Sequence, residues 1–364
     1  MRAWRADRPE EAEPGRAPSR RKCRETVMST DRWAGWRRRD VLIRGGAAAA
    51  AAALTLPGGR DARGATTAAE GSGSPAPAAA GRCTPCLFSK PLENRSFAQV
   101  ADLAGKLGIG GVDLTCRPGG HVLPERVAED LPRAVEAFRA AGVVVPMITT
   151  AITRADEPHA EAVVRTAAGL GIRYLKPGYL DYPDLSRIRR RLAEIRPRLA
   201  DLAALCAAHG MIAGYHNHSG QRFGAPLWDL AEVLDGLPAE AIGAYFDARH
   251  AVVEGGEAGW KMGMHLLARR IVIVGVKDFR WERREGQGWR ARDVPLGTGM
   301  VDHPQVFRWL SQWGFAGPVS LHVEYTDRAA AIASDADRAG LEAVGRDHAT
   351  MLSLLGDAGL TAPA

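Results

Sequence analysis

From residue 84 onward, apolar and polar positions alternate between two kinds of segment. Short apolar runs read as buried strands over 86–89, 111–115, 143–149, 174–177, 212–216, 244–247, 271–277 and 319–324. Between them, apolar residues recur every three or four positions. That predicts amphipathic helices over 97–107, 125–141, 159–170, 185–209, 227–237, 258–268, 304–313 and 338–355. Gly108, Gly142, Gly171, Gly210 and Gly314 each stand just past a predicted last turn, where a left-handed residue ends a helix. Eight such alternations in roughly 275 residues predict one closed (β/α)8 barrel. A doubly wound open sheet is the alternative. It is disfavoured because Leu107-Gly108-Ile109-Gly110-Gly111 precedes a strand instead of opening a helix, which is not the setting of a dinucleotide-binding loop.

The predicted strands share a way of ending. Tyr215-His216-Asn217-His218 closes the fifth, Asp247-Ala248-Arg249-His250 the sixth, Lys277-Asp278 the seventh and His322-Val323-Glu324 the eighth. Lys176 closes the fourth, and Arg117 to His121 follow the second. Residues two apart on a strand face the same side, so His216 and His218 point into one cavity. In a barrel, chemistry gathers at the C-terminal strand ends, where these groups fall.

The chain has 364 residues, 46% hydrophobic and 25% charged, enough for a sizeable core. Its net charge of +6 has a local source. Residues 1–44 hold 13 Lys and Arg against 7 Asp and Glu, whereas the remaining 320 hold 35 of each. A neutral barrel gives no reason to expect a nucleic-acid partner. The basic leader instead reads as an export signal. Trp36-Arg37-Arg38-Arg39-Asp40-Val41-Leu42 matches a twin-arginine pattern with Arg38-Arg39 as the pair, and a mostly alanine run over 45–56 follows. That run is too short and too weakly apolar for a stable membrane anchor. The expected division is a polar extension over 1–27, before a start at Met28, a signal peptide over 28–65, a linker over 66–83 and a barrel over 84–360. The leader is expected to be disordered, its cleavage point to lie between Ala62 and Ala80, and the barrel to be periplasmic or secreted. Five cysteines make no disulfide framework in so long a chain. Cys83-Thr84-Pro85-Cys86 has redox spacing but no following helix to lower a thiol pKa, so a structural role is expected.

The strand ends resemble those of the xylose isomerase-like TIM barrels, the superfamily of sugar phosphate isomerases and epimerases, over roughly residues 86–355. The resemblance rests on Tyr215-His216-Asn217-His218, Asp247-Ala248-Arg249-His250, Val276-Lys277-Asp278, Leu296 to Asp302 and His322-Val323-Glu324, with Asp113 to His121 similar to a second-strand loop of one branch. It implies one divalent ion held by a carboxylate on strand five, an aspartate on six, a histidine on seven and a glutamate on eight. Asp247 and Glu324 match. His216 stands at the strand-five position and Gly275 at that of the strand-seven histidine, while His250 offers a nitrogen in a D-x-x-H pattern. The implied ligand set of His216, Asp247, His250 and Glu324 mixes nitrogen and oxygen, which suits Mn, Co, Fe or Zn better than Ca. The alternative is a hydrogen-bonded polar cluster without an ion.

The chemistry so implied is proton removal beside a carbonyl, with an enediolate stabilised by positive charge. Glu324 and His218 are the expected acid/base pair, with His216 as the other candidate opposite Glu324. Lys277 is the expected catalytic cation. Arg117, His121, Lys176, His218 and Asp278 are expected to bind a small carbohydrate, and Lys277 to pair with Asp278. An Arg/Trp stretch holding Arg280, Trp281, Arg283, Arg284 and Trp289 reads as a stacking lid or a solvated hairpin. Phosphorylated sugars are scarce outside the cytoplasm, so an unphosphorylated sugar or keto-sugar is expected. A keto-glycoside lyase and a non-catalytic sugar-binding barrel are the alternatives, and a homodimer is left open.

Overall fold

A computed structural model of the chain describes residues 83–324 and 338–361. The leader, the twin-arginine pattern, the cleavage region and Cys23 lie outside the described residues. Among the described residues no helix is long and apolar enough to cross a membrane.

The strands, in chain order, are β1 (Thr84–Phe88), β2 (Gly111–Thr115), β3 (Val144–Thr149), β4 (Tyr174–Lys176), β5 (Ile212–His216), β6 (Ile242–Asp247), β7 (Ile271–Val276), β8 (Asp278–Arg284), β9 (Gly288–Val294) and β10 (Pro318–Leu321). Eight of them close into a barrel in the order β1-β10-β7-β6-β5-β4-β3-β2. Every pairing in it is parallel. The helices are α1 (Phe97–Lys106), α2 (Val127–Ala140), α3 (Ala160–Gly169), α4 (Ile188–Ala208), α5 (Trp228–Leu234), α6 (Ala248–Leu267), α7 (His303–Gln312) and α8 (Arg338–Asp357). The expected (β/α)8 TIM barrel is therefore the fold.

Local signals explain the element ends. Ser96 and Gln99 form a reciprocal capping box at the start of α1, Ser96 Oγ accepting from Gln99 N–H and Gln99 Oε1 from Ser96 N–H, a device worth about 1 kcal/mol. All five glycines expected to end helices have positive φ, from 67° at Gly108 to 83° at Gly171. The sixth helix departs from expectation: it starts at Ala248, ten residues before the predicted 258. Gly256, at φ 57° and ψ −155°, breaks it into two stretches. The Glu254-Gly255-Gly256 run hides the first stretch, because glycine and charge interrupt the apolar period.

The main apolar core lies between the strands and the surrounding helices, with Phe138, Phe246 and Phe307 fully buried. A smaller apolar cluster of Met147, Tyr245 and Ile273, from β3, β6 and β7, fills the barrel interior. Asp113 is also fully buried. It accepts from Thr149 Oγ1 (2.8 Å) and Ser320 Oγ (2.9 Å), so the buried carboxylate is hydrogen-bonded. Cys83 and Cys86 are buried free thiols, and burial pushes Cys83 up to about 12, so it is no thiolate at neutral pH. The Arg/Trp stretch after β7 is an antiparallel hairpin of β8 and β9. Trp289 is 62% exposed at its tip.

Candidate active site

The C-terminal end of β5 sets the first half of the site. His216 ends the strand, 3% exposed, and His218 lies two residues on. Their ring centroids are 6.1 Å apart. Asn217 points the other way and grips the neighbouring strand end: its Oδ1 accepts from Asp247 N–H (2.7 Å), and its Nδ2 donates to the Asp247 carbonyl (3.0 Å). This clamp holds the ends of β5 and β6 together, and the sequence pattern marked only the residues on either side of it.

Asp247 has two jobs. Its Oδ1 accepts from His250 N–H (3.0 Å) and caps α6, so the D-x-x-H spacing is a helix cap that brings the His250 side chain back over the same carboxylate. Its Oδ2 meets His216 Nε2 at 3.3 Å, Lys277 Nζ at 3.5 Å and His250 Nε2 at 3.8 Å. Behind them, Tyr179 Oη lies 2.8 Å from His216 Nδ1, and Ser219 Oγ lies 2.6 Å from His250 Nδ1. Burial lowers His216 to about 3 and His218 to about 4, and drives His250 down as well, so all three rings are neutral at pH 7. Burial would raise Asp247, but Lys277, His250 and His216 together outweigh it and hold the carboxyl well below its ordinary range.

Lys277, 5% exposed, joins the two carboxylates of the site. Its Nζ donates to Glu324 Oε2 at 2.8 Å, while Lys90 Nζ takes Glu324 Oε1 at 2.7 Å. Burial pulls Lys277 down, and Asp247 and Glu324 together pull it back above the ordinary lysine value. Glu324 is correspondingly held far below the carboxylate range, mainly by Lys277 against the effect of burial.

The expected Lys277–Asp278 pair does not form. Asp278 turns away and accepts from the backbone N–H groups of Phe279, Gly297, Gly299 and Val301. It orders the 296–301 loop, and a Cβ at Gly299 would run into its carboxylate. Gly275 pairs in register with Asp247, and a Cβ there would sit 3.2 Å from Asp247 Oδ2. A strand-seven side chain at 275 would crowd that carboxylate; Lys277, two residues on, reaches it instead. His121 is tied to Thr115 Oγ1 (3.1 Å), away from the cavities, whereas Arg117 pairs with Glu93 (2.9 Å) at the cavity wall.

Two adjoining cavities open here, of about 580 Å³ and 300 Å³. Lys90, His218, Lys277 and Glu324 line both. Lys176 reaches the smaller one with its Nζ 3.6 Å from the Tyr179 ring centroid. Tyr179, Arg222 and Tyr245 were not among the expected residues. Neither was His322, whose Nε2 lies 2.8 Å from Tyr245 Oη. The H-V-E alternation after β10 carried a signal for His322, since it repeats the two-residue spacing of H-N-H. Tyr179 and Arg222 sit in loops, where no period marks them.

One ligand atom from each of His216, Asp247 and His250 lies within 4.8 Å of the other two. His250 Nε2 is buried and has no hydrogen-bond partner. Two neutral imidazoles and a carboxylate suit a divalent transition ion, so these three residues fit one. Glu324, the fourth ligand expected, lies instead on Lys277, whose ammonium also stands beside the shared Asp247 oxygen.

The family model described as xylose isomerase-like TIM barrel matches residues 101–343. A xylose isomerase domain protein from Alicyclobacillus acidocaldarius is 20% identical, with a TM-score of 0.58 over 76% of this chain and 99% of that one. An L-ribulose 3-epimerase is 15% identical, with a TM-score of 0.57 over 76% and 95%. The IOLI protein with a bound zinc atom is 14% identical, with a TM-score of 0.58 over 75% and 98%. At these identities the likeness is one of fold. None of the curated proteins compared with the chain matches it.

Proposed function

The chain belongs to the xylose isomerase-like TIM barrel family, and on that premise we propose that it isomerises or epimerises a small carbohydrate by removing a proton beside a carbonyl. The observation that carries this reading is the convergence of Asp247, His216, His218, His250, Lys277 and Glu324 at the barrel mouth. His218 is the proton acceptor. Its Nδ1–H donates to the Ser219 carbonyl (2.9 Å), which leaves the Nε2 lone pair free on a ring that burial keeps neutral. The proton passes from carbon to Nε2, and the bonding pair moves to the carbonyl oxygen. The fixed Lys277 ammonium offsets the negative charge that collects there. For isomerisation, protonated His218 then gives its proton to the former carbonyl carbon, while the adjacent hydroxyl proton passes to the former carbonyl oxygen and a new carbonyl forms. For epimerisation, the deprotonated carbon takes a proton from water on its opposite face, and His218 releases its own to solvent. Glu324, held ionised between two ammonium groups, orients Lys277 and Lys90 in place of shuttling protons.

An ion such as Zn, Mn, Co or Fe would be held by His216, Asp247 and His250, and would supply further positive charge against the developing oxyanion. The leader adds export to the proposal, and with it a substrate found outside the cytoplasm. The larger cavity, at about 580 Å³, favours a second reading. Beside a 3-keto group, the same proton removal would expel a glycosidic leaving group, for which that cavity has room.

The test is proton NMR in deuterium oxide with a panel of ketoses, aldoses and 3-keto glycosides, using protein reconstituted with divalent metal. Deuterium entering the carbon beside the carbonyl is the expected result, and release of a free sugar from keto glycosides would select the lyase. Folded, metal-loaded protein that exchanges no carbon-bound proton in any of them would defeat both readings.

A further inference from the structure

Among the described residues, Lys176 is the cation at the barrel mouth with no carboxylate against it. Lys90 and Lys277 share Glu324, Arg117 has Glu93, and Arg249 has Asp293. Lys176 ends β4 at 4% exposure, and its ammonium rests on the Tyr179 ring. Asp113 acts on it through space, but its oxygens are already occupied by the Thr149 and Ser320 hydroxyls. Burial lowers Lys176 to about 7, and Arg117, Arg222 and Lys90 press it the same way. A ring face returns less than burial of an ammonium removes. Arg222 adds a second cation over the same ring, its Cζ 4.5 Å from the centroid. Its carboxylate, Asp181, is 3.7 Å away and solvent-facing. Two cations therefore face the 300 Å³ cavity over one aromatic ring, with a deficit of negative charge between them. Tyr179 also ties this corner to the reacting groups, since its hydroxyl holds His216 Nδ1.

We propose that Lys176 and Arg222, presented over Tyr179, form a subsite for an anionic substituent of the substrate. The molecule bound is then an anionic sugar and not a neutral one: a sugar acid, which agrees with the unphosphorylated substrate expected of an exported barrel, or a sugar phosphate, which would overturn that expectation. An anion there supplies the counter-charge that Lys176 lacks and leaves the rest of the sugar to extend toward His218 and Lys277. The inference rests on the carbohydrate reading above and names the substrate class within it.

The experiment is titration calorimetry of the full chain with D-glucuronate, D-glucose and D-glucose 6-phosphate. D-glucuronate and D-glucose differ only at carbon six, so their ratio reads the subsite. At least one anion is expected to bind ten times or more as tightly as D-glucose, and the tighter of the two tells carboxylate from phosphoryl. Lys176→Met and Arg222→Gln should each erase most of that preference; the variant at the half-buried arginine keeps the test open should the one at the buried lysine misfold. Equal affinities, no binding of either anion, or a preference intact in both variants overturns the proposal. Turnover does not enter. A chain that binds acids without exchanging carbon-bound protons keeps the subsite and loses the isomerase reading, and one that exchanges neutral sugars while ignoring acids does the reverse.

Discussion

Lys176 and Lys277 end neighbouring regions of the same barrel mouth at nearly equal burial, 4% and 5% exposed, yet their charges are set in opposite ways. Lys277 has Glu324 at 2.8 Å and Asp247 at 3.5 Å, and its pKa is raised in spite of burial. Lys176 has an aromatic ring and other cations, and its pKa falls to about 7. Burial alone therefore predicts nothing about a lysine's state. The partners decide whether the ammonium is a permanent structural charge or a vacancy for an anion.

The comparison breaks most visibly in stability. Lys277→Met leaves two carboxylates at the mouth without their shared cation and should cost about 3–5 kcal/mol in urea unfolding. Lys176→Met removes an unpaired buried charge, so it should leave stability unchanged or raise it by about 1–2 kcal/mol. Similar losses from both variants would mean that the two lysines are held alike.

Metal gives the next effect. Added Zn or Mn should raise the melting temperature of the wild type, and a chelator should reverse the rise. His250→Ala should abolish the shift, whereas Lys277→Met, which frees the Asp247 oxygen from an ammonium, should enlarge it. A shift untouched by His250→Ala would place the ion elsewhere.

The pH dependence has a definite sign. Lys176 is depressed from 10.5 to about 7. Below about pH 7 both the folded and unfolded chains hold its proton, and the penalty is complete. Between about 7 and 10.5 only the unfolded chain holds it, so this group makes stability climb by up to about 1.4 kcal/mol per pH unit. Lys277, raised instead, contributes stability that is whole below the ordinary lysine value and lost above its folded one. Melts of wild type against Lys176→Met should show the climb only in the wild type. Anion affinity should fall over the same rise through pH 7, as the ammonium is lost.

The smallest effect comes from the residue common to both regions. Tyr179→Phe keeps the ring beneath Lys176 and Arg222 and removes only the hydroxyl on His216 Nδ1. Metal affinity should drop by less than about tenfold, the worth of one hydrogen bond near 1 kcal/mol. The preference for anions should persist.

Much of this was legible along the chain. The two periods marked eight strands and eight helices, and H-x-H and D-x-x-H placed His216, His218, Asp247 and His250 at one end of the barrel. Both spacings are local: one follows from strand alternation and the other from a helix cap. The early half of α6 is hidden by Glu254-Gly255-Gly256, and Asp278 has the position of a strand-end site residue although its carboxylate serves the 296–301 backbone.

The order of elements and the strand ends that carry the ionisable groups are legible in residue period and spacing, because backbone geometry acts over a few residues at a time, whereas closure of the barrel comes from the pairing of β1 with β10. Tertiary structure alone decided which groups touch. Glu324 meets Lys90 and Lys277 across 234 and 47 positions, and Tyr179 reaches His216 across 37. Such contacts depend on how separate strand ends are brought around the barrel, and only there do equal lysines acquire unequal charge.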